Sequence, residues 1–61
     1  MDVNEIMKLC DNALDLGDTE NIPDLLELLR AMLEIVDNYD RGYSNDPIST
    51  LYRILEVVED F

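Results

Sequence analysis

The stretch from Ile22 to Asp40, IPDLLELLRAMLEIVDNYD, constrains this chain more than any other segment. At about 100° per residue, Leu25, Leu28, Leu29, Met32, Leu33, Ile35, Val36 and Tyr39 fall on one continuous apolar arc, with Leu26 at its edge. The arc covers about half the circumference, well beyond the ~100° stripe of a one-sided surface helix. Asp24, Glu27, Arg30, Glu34, Asp37 and Asn38 share the polar side. A helix with so wide an arc needs two apolar neighbours, so the flanking segments are expected to fold back onto it.

Both flanks carry helical patterns. From Asp2 to Leu16, the residues Val3, Ile6, Met7, Cys10 and Leu14 form a stripe that Leu9, Ala13 and Leu16 widen. Asp2 and Glu5 have the spacing of a reciprocal N-terminal cap, and Gly17 suits a helix stop because it accepts the left-handed conformation. A short polar connector follows, with either Asn21 as the next cap and Pro23 inside the first turn, where its missing N–H does no harm, or Asp18 or Thr19 capping a leading turn. Short connections of this kind favour antiparallel neighbours. Gly42 ends the central helix within the second connector, RGYSND, and Asp46-Pro47 starts the third. There Ile48, Leu51, Tyr52, Leu55 and Val58 form the stripe, with Ile54 and Phe61 beside it. Thr50 and Val57 fall on the far edge, and Val57 has no evident cover within one chain. The expected fold is all-α: a three-helix bundle with helices at about residues 2–16, 22–40 and 47–60. The turn LDLGDTEN has the outline of a tetratricopeptide hairpin. However, Ile22 and Leu29 stand where that family places small residues, and there is no array, so the hairpin is generic.

A chain of 61 residues makes one domain and buries only about 60% of its unfolded surface, so a lone core is marginal. Small scaffolds usually add disulfides, a metal or a partner subunit. One cysteine, Cys10, rules out an internal disulfide, and with no histidine a zinc site is out of reach. Self-association is what remains, and a symmetric homodimer is expected. Leu26, Leu33, Val57 and Phe61, at the margins of the apolar faces, are its expected interface.

The charge balance narrows the function. Fifteen acids stand against 4 bases, for a net charge of −11. Binding to a phosphate backbone needs clustered Lys and Arg, so direct nucleic-acid binding is excluded, and an anionic membrane surface is disfavoured for the same reason. No apolar run approaches the ~18 residues that span a bilayer, and MDVNEIMKL lacks the pattern of a signal peptide. The chain reads as a complete small open reading frame of the reducing cytoplasm, where a free Cys10 is at home. Catalysis is not expected: there is no base to activate Cys10, and three short helices offer no deep cleft for paired carboxylates. Nor does Asp37–Gly42 make a calcium loop, because Tyr39, Arg41 and Ile48 stand where oxygen ligands are needed. No cofactor is expected.

The arrangement of the acids is more informative than their number. Lys8, Arg30 and Arg53 each have acids three or four residues away, which suits i,i+4 pairing. Yet Asp15 and Asp18, Asp37 and Asp40, and Glu59 and Asp60 crowd helix C-termini, where the macrodipole prefers cations. The expected function is a non-enzymatic inhibitor or modulator. It would present Asp11, Asp15, Glu27, Glu34, Asp37 and Asp40 to a basic site on a larger protein, for example as a nucleic-acid mimic. Its small acidic frame has the style of a phage or mobile-element protein. Arg41 and Tyr43, at the second connector, form a further expected contact at the loop tip. The alternative is a structural or assembly subunit acting through its apolar helix faces, its charge serving only solubility.

Overall fold

The computed structural model describes residues 1–43 and 46–61, and contains three helices and no strand among them. They are α1 (Val3–Leu16), α2 (Ile22–Asp40) and α3 (Pro47–Glu59), within a residue of the expected bounds. Ser44 and Asn45 of the second connector lie outside the described residues.

Local chemistry sets the ends. The Asp2 carboxylate accepts from the Glu5 amide at 2.8 Å and caps α1. Gly17, at φ 70°, stops it, with the Asp18 amide bonding back to the Asn12 carbonyl. At the start of α2 the Asn21 side chain makes no capping bond, and Pro23 occupies the first turn. The end of α2 is a Schellman closure. Gly42, at φ 82°, donates to the Tyr39 carbonyl, while the Tyr43 amide reaches Asn38. Asp46 caps α3 twice over, accepting from the Ile48 amide and the Ser49 hydroxyl, each at 3.0 Å.

The core is small. Ile6 of α1, Leu28 of α2 and Val58 of α3 are its buried hydrophobic residues. Cys10, Leu25, Met32, Ile54, Val57 and Phe61 pack against them, half-buried. The first half of α2 thus meets the second half of α3, as in an antiparallel hairpin. These two helices share the one extensive helix–helix contact, and α1 touches them lightly. The N-terminal ammonium also reaches the Glu59 carbonyl at 2.9 Å, which sets the start of α1 beside the end of α3.

The helices are where the pattern puts them, but the buried faces differ. On α3 the buried row is Thr50, Ile54, Val57, Val58 and Phe61, so the far-edge residues Thr50 and Val57 face the core. Thr50 tolerates burial because its hydroxyl donates to the Asp46 carbonyl at 2.9 Å, leaving no polar atom unpaired. The richer stripe of Ile48, Leu51, Tyr52 and Leu55 faces solvent. On α2 only Leu25, Leu28, Met32 and Ile35 of the wide arc turn inward, while Leu29, Leu33, Val36 and Tyr39 stay exposed. On α1, Val3, Met7 and Leu14 are exposed, Leu14 at 83%.

The reason is geometric: a hairpin with a third helix docked at one end covers half of each apolar arc. The Cα radius of gyration is 13.0 Å, against about 10.5 Å for a compact domain of this length. The accessible surface is 4838 Å², against about 4,000 Å² for a compact protein of this mass.

Candidate functional site

Two exposed apolar rows dominate the surface. On α2, Leu26, Leu29, Leu33 and Val36 recur at i, i+3, i+7 and i+10; on α3, Ile48, Leu51, Tyr52 and Leu55 recur at i, i+3, i+4 and i+7. Each row lies about 120° around its helix from the buried row, in the same rotational sense. Because α2 and α3 run antiparallel, that shared sense turns both rows to one side of the hairpin. The α1 helix docks on this side and covers only its end near the start of α2.

Carboxylates frame the rows. Asp40 stands seven residues beyond Leu33, and Glu59 seven beyond Tyr52, so each row ends in an acid. Leu26, Leu29 and Leu33 share a shallow depression with Arg30, Glu34 and Asp37. Of the acids expected on the binding face, Glu34, Asp37 and Asp40 border the α2 row. Asp11 and Asp15 are exposed on α1. Glu27 is exposed too and shares a face of α2 with Glu34, seven residues on, but does not line the depression.

At the tip, the Arg41 Nε lies 2.9 Å from an Asp37 carboxylate oxygen, one turn earlier. This ion pair, the only one among the described residues, joins the expected tip to the expected acidic face and offsets part of the charge on Asp37. The Asp37 carboxylate, with a smaller contribution from the Tyr43 hydroxyl, raises the Arg41 pKa further above its ordinary value. Tyr43 is exposed at 76%. Lys8, Arg30 and Arg53 make no ion pair among the described residues, although acids stand three or four positions away.

The four expected interface residues divide. Leu26 and Leu33 stand in the exposed α2 row, at 58% and 55%. Val57 and Phe61 are half-buried against the chain's own core. Leu51, Tyr52 and Leu55, which the sequence pattern assigns to the interior, are exposed. Helical spacing marks them as apolar-facing, but it cannot say whether the facing partner belongs to the same chain.

Between α1 and α2 lies an open cleft of about 530 Å³ with nearly all-apolar walls, which include Cys10, Leu25, Leu29 and Met32. No set of three or more His, Cys, Asp or Glu side chains converges as a metal site among the described residues, and no helix there is long and apolar enough to cross a membrane. Compared with protein-family models, with curated proteins and with solved structures, the chain matches none.

Proposed function

We propose that the protein is a non-enzymatic protein-binding module that inhibits or modulates a larger, basic protein in the cytoplasm. The observation that carries this reading is the side of the α2–α3 hairpin on which two apolar rows lie exposed inside a frame of carboxylates. Leu33, Leu51, Tyr52 and their neighbours offer contact area, at about 25 cal/mol for each Å² removed from water. The surrounding acids select a cationic partner and accelerate encounter rather than adding much affinity. Helix surfaces with anchors at i, i+3, i+4 and i+7 are suited to recognition of this kind.

Affinity capture with the intact chain tests it. Leu33→Asp removes the apolar contribution. Reversal of Asp11, Asp15, Glu34 and Asp37 to Lys removes the electrostatic one. A basic partner recovered by the wild type and lost by both variants is the expected result, with capture weakening from low to high salt. A partner retained by both variants removes the proposal.

A second reading, self-assembly as a symmetric homodimer through the same side, is favoured by the surface area. The excess over a compact chain, about 800 Å², is what each partner of a standard interface buries. Leu26 and Leu33 would lie in that interface, joined by Leu51 and Tyr52. Sedimentation at micromolar concentration decides it: a sharp monomer mass excludes the dimer.

A further inference from the structure

We propose that two copies of the chain pair α2 against α2 in antiparallel sense, each α2 seated in the other's cleft between α1 and α2. This rests on the homodimer reading above and names the helix that pairs and its direction. The α2 helix carries two seams of coiled-coil type. Leu25, Leu28, Met32 and Ile35, spaced three, four and three, turn inward. Ile22, Leu26, Leu29, Leu33 and Val36, spaced four, three, four and three, form the second. Alternating steps of three and four align a helix with one facing helix along its whole length. Within the chain α1 meets only the beginning of this second seam: Ile22, Leu26 and Leu29 line the cleft, while Leu26, Leu29, Leu33 and Val36 stay exposed.

The direction follows from the ends of the seam. Its next position is Asp40, and the six positions are symmetric about the level of Ala31. Reversal sets Leu29 level with Leu33 of the second copy, Leu26 with Val36, and Ile22 with Asp40. A two-fold axis makes each contact twice. Asp40 then stands by the first turn of the other α2, where the helix dipole favours an anion and Asn21 supplies no side-chain cap. Parallel pairing instead opposes Asp40 to Asp40. Reversal also distributes the cover. Each α1 lies over the hairpin end near the start of its own α2, so the second copy's α1 comes to the level of the opposite end, where Ile48, Leu51, Tyr52 and Leu55 are bare.

Charge and area are compatible with this pairing. The cleft lining holds no charged residue, and Asp37, beside the seam, is already paired with Arg41. Arg30 comes within two residues of the level of both Arg30 and Glu34 of the second copy, so an acid stands across the axis for it to meet. The surface of 4838 Å² exceeds that of a compact chain by about 800 Å², one partner's share of a standard interface.

Cross-linking reads the direction. In a Cys10→Ala background, Arg30→Cys and Asp37→Cys each put one thiol on the same border of the seam. Antiparallel pairing brings the thiols at position 30 nearly level and leaves those at position 37 about 18 Å apart along the axis. A short thiol-to-thiol cross-linker is therefore expected to link most of the Arg30→Cys chains and few of the Asp37→Cys chains. Efficient linking at position 37 shows parallel helices and overturns the inference. So does a dimer seen by sedimentation that neither variant cross-links, since it then forms through another face. A sharp monomer mass for the unaltered chain removes the homodimer reading itself, which keeps the two failures apart. Leu33→Asp, at an exposed position, should keep its helix content and raise the dimer dissociation constant at least about tenfold; an unchanged constant overturns the pairing. In the unaltered chain, thiol labelling of Cys10, in the cleft wall, should slow severalfold as the dimer forms, and labelling that stays constant overturns the seating in the cleft.

Discussion

Leu28 and Leu33 stand five residues apart in one helix and carry the same side chain, yet they belong to different worlds. Leu28 is 6% exposed at the centre of the core, whereas Leu33 stands in the open row. Leu28→Ala is expected to cost about 2–5 kcal/mol, enough to unfold much of so small a domain, while Leu33→Ala in the monomer stays within about 0.5 kcal/mol. Urea melts of the two variants measure the contrast, and equal losses would mean that Leu33 is covered in solution. Asp46 gives a residue-scale dependence on pH. Its carboxyl is held below the ordinary 3.8 first by the Ser49 hydroxyl, then by the Ser49 and Ile48 amides. A lowered native pKa stabilises the fold fully above the unfolded value, and that contribution fades as pH falls through the native one. The difference in melting temperature between wild type and Asp46→Ala should therefore be constant near pH 6 and narrow below about pH 4. A difference that persists unchanged to about pH 3 contradicts the capping role. The cap at Asp46 was legible in the sequence because it stands directly before Pro47; the Ser49 hydroxyl that completes it was not read there.

At the scale of elements, the helices do not share stability equally. The α2–α3 hairpin holds itself together along its length, while α1 joins through Ile6, Cys10 and the contact between the N-terminal ammonium and Glu59. Amide exchange should show α1 opening at a lower free energy than α2 and α3, as a separate unit. Uniform protection across all three helices would mean that α1 is clamped, by a partner copy or by a closed cleft. Gly17→Ala sharpens the test. There is open space around a new Cβ, but φ of 70° strains any L side chain, so the variant should lose about 1 kcal/mol and free α1 first. The helix limits were readable because caps and stops act within one turn. The angle and depth at which α1 docks were not, because no local bond specifies them.

For the whole molecule, the open shape and the net charge pull in opposite directions. Exposed apolar rows favour association, and −11 per chain resists the approach of a second copy. Thermal stability that rises with protein concentration would show self-association winning, because mass action stabilises only the assembled state. Added salt should strengthen a homodimer by screening like charges and weaken capture of a basic partner, so the sign of the salt effect separates the two assemblies. The sequence by itself determined three helices, their ends, and an apolar arc on α2 too wide for one neighbour, since periodicity and capping are properties of short segments. Only the tertiary structure decided which half of each arc is buried. The packing angle selects Thr50, Ile54, Val57 and Val58 over Ile48, Leu51, Tyr52 and Leu55, although the second set is the more apolar. That choice depends on contacts between residues far apart in the chain, and it turns what looked like core into exposed apolar surface.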